Sequence, residues 1–536
     1  MSRNFITELD IFMTNDLAEK QIMPTNSNQV FDIVVIGGGI NGCGVARDAA
    51  GRGLSVCLLE MNDLASATSS SSSKMIHGGL RYLENYEFRL VREALKEREV
   101  LLEIAPHLVS PLSFVFPHVS AMRPTWMIRL GLFLYDNLYR RRILHGSKSI
   151  DLRTNPVGVP LEQGYTKAFI YSDARVDDAR LVILNAVDAA ERGAVIATRT
   201  RCISASRVNN SWHIVTSKEG SGKQEVIFAK ALINASGPWV KSLIEDCLDE
   251  SSKDEVRLVK GSHIVVPKLF DHDKAYILQN TDQRIVFAIP YQRRYTLIGT
   301  TDVDFRGDPS KVFTSNDEID YLCEVVNLYF RRKVKRSDVI WKYAGVRPLY
   351  HDGVDQAQNV TRDYVLKLTD QDELMPVLHI FGGKITTYRK LAEAVLDKLQ
   401  NYFPAMTGSW TTLEPLPGGT SLSNLSVSLM QSHGFLGQDR IDRLIAAYGS
   451  RVWKLLENVN SEIDMGRTFG AGLTACEVKY LMENEFARNA ADVLWRRGKL
   501  GLVLSEAQVL ELDSWMAGKY DNRNNVPNTS AAMSIG

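Results

Sequence analysis

The stretch Phe31–Glu60 constrains the fold more than any other part of the chain. Phe31–Ile36 (FDIVVI) is apolar and β-branched, as a strand buried on both faces of a parallel sheet must be. Gly37, Gly39 and Gly42 follow at the spacing G-x-G-x-x-G, Asn41–Arg52 predicts a helix, and Leu54–Leu59 predicts a second strand closed by Glu60. The glycines serve the tight turn, the approach of backbone to a pyrophosphate, and close packing of helix on strand. A helix start offers N–H groups and its positive dipole end to that pyrophosphate, and Glu60 is placed to accept from both ribose hydroxyls. The unit predicts a dinucleotide site and leaves the chemistry open.

Bulk properties narrow the classes. The 536 residues predict two or three domains, and Lys+Arg balances Asp+Glu at 63 each, so no basic field marks a nucleic-acid partner. The six cysteines are scattered, with no C-x-x-C and no Cys/His cluster of metal spacing, which predicts no metal and a reducing, cytosolic setting. No apolar run approaches the roughly 20 residues that span a bilayer. Residues 1–30 read as a flexible polar extension without signal layout, and 521–536 as a frayed tail.

The nucleotide sheet is predicted to be interrupted. A helical pattern runs from Glu84 to about Ile104, Asp177–Arg192 predicts a helix, and Ala194–Thr198 a strand. Cys202–Val208, Trp212–Thr216 and Glu225–Ala229 read as a β-meander, with Ala231–Ala235 returning as a buried strand. Leu258–Pro267, Arg284–Ile289, Tyr295–Thr300, Val339–Val346 and Tyr364–Leu368 form a second, strand-rich region before Pro376–Ile380. From about residue 409 helices take over, with Ile441, Leu444, Ile445, Tyr448, Val452 and Leu455 near a 3.6 period, and likewise Val478, Leu481, Phe486, Val493 and Leu494. The expected class is α/β. A Rossmann-like nucleotide-binding domain (about 31–105, 175–240 and 376–400) is interleaved with an antiparallel-sheet substrate domain (about 106–174 and 241–375). A C-terminal helical domain covers 409–520. Such interleaving is the pattern of flavin enzymes.

Several motifs can carry chemistry. The run Ser69–Ser73 is either a linker or a set of hydroxyls and N–H groups for phosphate or ribityl oxygens. In His77-Gly78-Gly79-Leu80-Arg81-Tyr82, two glycines let backbone lie flat against a planar ring, or simply turn before a helix. Phe381-Gly382-Gly383-Lys384-Ile385-Thr386-Thr387 lacks the full Walker loop, so a triphosphate is not expected. A helix start with Lys384 suits developing negative charge, such as the N1 and C2 carbonyl of a reduced flavin. Arg347 is either a structural ion pair or an anion ligand. His263 is either structural or a proton acceptor suited to neutral pH. Ala121–Tyr139 sets Trp126, Met127, Leu130, Phe133, Leu134 and Leu138 on one side of a helix, among Arg123, Arg129, Arg140, Arg141 and Arg142. It is either a core helix or one lying in a membrane interface.

Together, GGGINGCG with Glu60, ATSSSSSKMIHGGLRYLENYEFRLV, INASGPW, VKGSHIVVP, GTTD, YAGVRPL and HIFGGKITTYR resemble the FAD-dependent glycerol-3-phosphate dehydrogenases. These are glycine/D-amino-acid oxidase-like flavoproteins, and the similarity is strongest to their aerobic bacterial branch. The resemblance runs from about Phe31 to Trp515 and does not include the extension. It implies FAD, sn-glycerol 3-phosphate as donor, dihydroxyacetone phosphate as product, and ubiquinone as acceptor. It further implies peripheral attachment to the cytoplasmic face of the inner membrane, and a homodimer. It maps Arg81, Tyr82, Arg347 and Lys384 to the substrate site and His263 to proton handling, with Arg347 the second candidate for the base. Gly37, Gly39, Ile40, Asn41, Glu60, Thr68, Ser69, Ser72, Ser73, Ser236, Gly237 and Trp239 map to flavin contacts. Gly42, His77, Gly78, Gly79, Leu80, Gly383, Ile385 and Thr386 are expected beside them. A phosphomonoester carries about two negative charges, which guanidinium forks and an ammonium match. The alternatives are an oxidase that passes electrons to oxygen and a flavin-binding sensor without turnover.

Overall fold

The computed structural model of the protein describes residues 29–119, 123–280, 282, 284–350 and 363–524. Most of the predicted extension, and the tail beyond Asn524, lie outside the described residues. Two compact units divide between Leu422 and Ser423.

In the first unit, the apolar strand Val30–Ile36 sits at the centre of an eight-stranded sheet. Val56–Glu60 and Gln224–Asn234 pair with it in parallel on either side, followed outward by Val195–Thr198 and Leu374–Phe381. The helix Ile40–Gly51 packs against the helices Asp178–Glu191 and Tyr388–Leu399. Small buried residues (Ala46, Ala49, Ala50 on one helix, Ala186, Ala189, Ala190 on another) permit that close approach. Gly42 is obligatory here, because a Cβ would stand 1.9 Å from the Gly37 carbonyl oxygen.

The second sheet has ten strands. Next to one edge, the strand Val256–Pro267 pairs antiparallel with Tyr295–Gly299 on one side and Trp341–Tyr350 on the other. It is not wholly antiparallel as expected: Ala275–Gln279 pairs in parallel with Val109–His118. One face packs on the helix Asn316–Tyr329, through Ile264, Val266, Ile298, Leu322 and Val326. The other face is free to build a site.

Several expectations are corrected. Glu225–Ala229 and Ala231–Ala235 are one strand, Gln224–Asn234, because its first half pairs with Ser211–Lys218 and the chain continues straight between Val30–Ile36 and Leu374–Phe381. The strand expected at Tyr364–Leu368 in the substrate region runs Val365–Gln371 and pairs with Leu374–Phe381 in the nucleotide sheet. The long helix begins at Phe88, not Glu84, because Leu80–Asn85 is a 3-10 turn closed by Tyr86 at φ 59°. Residues 409–422 stay with the first unit: the Trp410 indole donates to the Asp48 carbonyl at 3.1 Å, and the Leu416 N–H to the Ile104 carbonyl at 2.8 Å.

The second unit contains the helices Leu425–Ser432, Gln438–Tyr448, Ala475–Asn484 and Glu506–Asn524. The continuous period expected through Leu455 breaks at Gly449, where φ is 55°. Phe486 lies outside the helices, and Val493 and Leu494 sit in a π-helical turn, Asp492–Arg497. The last helix reaches into the predicted tail.

A buried charge network braces the first unit. Arg389 pairs with Glu97 at 2.6 Å and with Glu393, and all three side chains are nearly inaccessible. Removing one member of such a group strands the other charges without water. Arg389→Met is expected to lower stability by about 3–5 kcal/mol, read as a lower unfolding midpoint with the same fold by circular dichroism.

Candidate functional site

The nucleotide end is built from the first βαβ unit. Gly37, Gly39, Ile40, Asn41 and Gly42 form the turn and the helix start. Glu60 ends its strand with one carboxylate oxygen 2.7 Å from the Gly38 N–H and the other 2.7 Å from the Asn62 N–H. Burial pushes its carboxyl pKa up, against those two donors. Each oxygen keeps a second lone pair, as a ribose diol requires. The Asn41 amide donates to the Gly382 carbonyl at 3.1 Å, and its buried Oδ1 has no hydrogen-bond partner among the described residues. The glycine turn, the acid and the unsatisfied Asn41 oxygen fit a dinucleotide such as FAD.

The segment Thr68–Lys74 leaves this end and crosses the open face of the second sheet. The Ser69 hydroxyl accepts from the Ile40 N–H at 2.9 Å, so it caps the nucleotide helix from outside. Thr68 donates to the Val346 carbonyl at 2.7 Å. The Ser72 hydroxyl and Lys74 ammonium both bond the Asp178 carboxylate, at 2.7 and 2.9 Å, and Lys74 also donates to the Ser70 carbonyl. The Lys74–Asp178 pair is almost wholly buried. The segment is therefore a fixed strap, not a linker.

Beneath the strap, cross-strand partners share a face of the sheet: His263 with Tyr343, Gly261 with Gly345, and Val259 with Arg347. The two glycines make a floor between a histidine and an arginine. A Cβ on Gly345 would lie 2.7 Å from the Ser71 Cβ, so the strap seats there because no side chain intervenes. Tyr343 and Arg347 are about 13 Å apart along their strand. The guanidinium nevertheless folds back over the floor, with Nη2 2.7 Å from where a Gly261 Cβ would stand. Arg347 is held there by Asp302 and by the Thr300 hydroxyl at 3.2 Å. It is thus an ion pair as well as a candidate anion ligand.

His263 is 1% exposed. Its ring stacks on Tyr343 at 4.8 Å and 10°, and Nε2 lies 2.9 Å from the Ser73 hydroxyl. It occupies space left by Gly299, whose added Cβ would fall 2.0 Å from the His263 Cδ2. Burial, then the charges of Arg347 and Lys74, hold its pKa well below the usual histidine value. At neutral pH the ring is a neutral imidazole.

Two further elements converge. His77 and Thr386 meet through backbone and hydroxyl at 3.4 Å, and the Lys384 ammonium sits 4.1 Å over the Tyr82 ring. This joins the Leu80–Asn85 turn, which carries Arg81, to the turn containing Gly383, Lys384 and Ile385. The Gly78 N–H donates to the Tyr135 hydroxyl at 2.8 Å, and Tyr135 bonds Asp173, itself paired with Arg98 at 2.6 Å. Gly79 takes the left-handed conformation that starts the turn, at φ 75°. The Ser236 hydroxyl bonds its neighbour Asn234 at 2.6 Å, and Gly237–Trp239 packs on Trp341–Tyr350. Lys74, Asp178, Tyr343, Asp302, Tyr135 and Asp173 had no assigned role in the sequence reading. Tyr343 alone carried a signal, its i, i+4 spacing from Arg347 in a strand.

Comparison with known proteins gives one consistent result. Residues 32–389 match the family described as FAD dependent oxidoreductase, and 409–514 match the C-terminal domain of alpha-glycerophosphate oxidase. A glycerol-3-phosphate dehydrogenase of Pseudomonas aeruginosa is 51% identical over 501 residues, 93% of this chain and 97% of its own. A D-erythritol 1-phosphate dehydrogenase of Brucella abortus is 47% identical over 497 residues, 92% of this chain and 98% of its own. The structure is similar to that of a glycerol-3-phosphate dehydrogenase from Bacillus halodurans complexed with FAD, with TM-score 0.74, 27% identity and 92% of each chain covered.

Two substitutions test the architecture. Lys74→Met leaves Asp178 buried without its cation and is expected to cost about 3–5 kcal/mol; adding Asp178→Leu should recover part of that loss in thermal unfolding. Gly299→Ala drives a methyl into the His263 ring and is expected to slow turnover more than tenfold with retained yellow colour, measured with a soluble dye acceptor.

Proposed function

The chain belongs to the FAD-dependent oxidoreductase family, and from that premise we propose that it oxidises sn-glycerol 3-phosphate to dihydroxyacetone phosphate. Electrons then pass to a membrane quinone. The observation that carries the reading is the glycine floor with a neutral, buried His263 on one side and the Arg347 guanidinium folded over it. When bound, FAD supplies the two-electron acceptor for hydride. Gly37–Gly42 and Glu60 are the residues that would hold its nucleotide end, with Ser236, Gly237, Trp239 and the turns at His77–Leu80 and Gly383–Thr386 nearer the ring.

The protein's own side chains divide the remaining work. Arg347, Arg81 and Lys384, with Tyr82, supply the cations and hydroxyl for a phosphate. Neutral His263 accepts the proton of the hydroxyl at the carbon that loses hydride. Lys384 also stabilises negative charge that develops on a reduced ring. Burial under the strap keeps water from the reacting atoms.

A second reading is favoured by the 47% identity to the Brucella enzyme: another polyol phosphate, such as D-erythritol 1-phosphate, as donor. Anaerobic bleaching of the yellow protein with each phosphate, against plain glycerol, separates the two. An oxidase is distinguished by peroxide yield in air compared with the rate on a quinone.

The membrane part of the proposal rests on the helix Thr125–Asn137. Among the described residues no helix is long and apolar enough to cross a membrane. This one buries Leu132 and Tyr135 but exposes Trp126 (65%), Leu130 (50%), Phe133 (56%), Met127 and Leu134. That exposure supports the interfacial reading of the apolar stripe over the core one. Arg123 and Arg129 flank it, Arg129 also bonding Ser147. Aromatics at headgroup depth with nearby arginines suit an anionic lipid surface, here the cytoplasmic face of the inner membrane.

Three outcomes are expected. Arg347→Ala should lower kcat/KM for the phosphate about 10- to 100-fold while flavin content holds. The reductive rate should persist below pH about 6.5, because the base is competent above its pKa and that pKa is depressed; it should fail only as pH drops through the lowered value. Trp126→Glu with Phe133→Glu should abolish co-sedimentation with anionic vesicles and leave soluble-dye activity intact.

A further inference from the structure

Ser73, expected among the flavin contacts, has its hydroxyl 2.9 Å from His263 Nε2. The other ring nitrogen, Nδ1, is buried and has no hydrogen-bond partner among the described residues. A histidine with one nitrogen engaged and the other unsatisfied is asymmetric, and the asymmetry decides which atom can take a proton. Two assignments fit the distance. Either Ser73 donates to Nε2 and the ring proton is on Nδ1, or Nε2–H donates to Ser73 and Nδ1 holds the lone pair. The first buries an N–H donor with nothing to accept it, the costlier kind of orphan. The second leaves only an unfilled acceptor, which a substrate hydroxyl satisfies on arrival. The neighbouring Lys74 and Arg347 cations also disfavour any doubly protonated ring before substrate binds.

We infer that Ser73 is a positioning residue: it accepts the Nε2–H of His263, fixes the tautomer with the lone pair on Nδ1, and so makes Nδ1 the atom that receives the substrate proton. This rests on the reading of His263 as base. The remaining contacts hold the same geometry. Tyr343 stacks on the ring and donates its own hydroxyl to the Ser72 carbonyl at 2.8 Å, next to Ser73. Ring plane and serine backbone are thus fixed by one tyrosine. In the step, the substrate O–H bond breaks toward Nδ1 and its carbon gives up a hydride, leaving a carbonyl; FAD, when bound, would supply the hydride acceptor. The imidazolium that forms keeps Nε2–H on Ser73, and it later returns the Nδ1 proton to solvent.

The test uses the full-length holoenzyme and anaerobic flavin bleaching by glycerol 3-phosphate. Wild type, Ser73→Ala, Ser73→Thr and His263→Asn are each followed to saturation. Ser73→Ala is expected to keep its flavin content and half-saturating concentration but to bleach about tenfold more slowly or worse. Ser73→Thr, which retains the hydroxyl, should return to within about threefold of wild type, a rescue that simple loss of packing would not show. His263→Asn should be slower still. A normal rate in Ser73→Ala beside a slow His263→Asn overturns the positioning role alone. So does flavin loss in Ser73→Ala, which makes Ser73 a cofactor ligand, or a Ser73→Thr as slow as the alanine variant. Wild-type speed in His263→Asn overturns the base assignment, and Ser73's role with it. Wild type left unbleached overturns the substrate reading beneath both.

Discussion

One buried ion pair, Lys74 with Asp178, secures the segment on which the site depends. The strap it ties down touches every part: Ser69 caps the nucleotide helix, Thr68 holds the strand that carries Arg347, Ser71 rests on the glycine floor, and Ser73 meets His263. Chains with so many serines are usually floppy. Here side-chain hydroxyls are spent on specific acceptors, and the ammonium neutralises a carboxylate that also receives the Ser72 hydroxyl. A buried pair so supplied with hydrogen bonds escapes much of the desolvation penalty that makes ordinary buried pairs neutral or worse.

The two sheets contribute different kinds of chemistry. The parallel sheet presents a helix start and the ends of its strands, which suit a diphosphate. The second sheet presents a face, where cross-strand neighbours set side chains side by side at fixed spacing. Alternation keeps the two jobs of Val256–Pro267 apart. Ser262 bonds Glu318 of the packing helix, while His263 turns the other way to the site. The Gly261 and Gly345 pair then decides how close a second segment can come.

Local pattern made the βαβ unit and the long amphipathic helices legible, because Phe31–Ile36 and the glycine spacing each encode their structure within a few residues. The strands Val109–His118 and Lys167–Val176 were not legible, although they form one of the longest pairings in the protein. The first carries Pro111 and Pro117, and the second carries Asp173, a buried charge paired with Arg98 from a distant helix. Asp178 looked like an ordinary acid in a first helical turn, and its partner Lys74 like part of a polar run. His263 and Arg347 were recognisable by resemblance, but the floor between them is a property of strand register. Register is settled by which long-range pairing forms, and a linear pattern does not contain it.

The hydrogen bond from Asn41 to Gly382 joins positions 341 residues apart. It means that the nucleotide fold cannot close until the chain has grown the 341 residues from Asn41 to Gly382. At about 5–20 residues per second, roughly 20–70 s separate the emergence of the glycine turn from that of the strand and helix that complete it. During that interval the helix Ile40–Gly51, almost wholly buried in the finished protein, lacks the Tyr388–Leu399 helix it packs against. The nascent polypeptide therefore carries an unfinished apolar surface past the ribosome exit for most of its synthesis, and its yield in the cell depends on what shields that surface until Gly382 arrives.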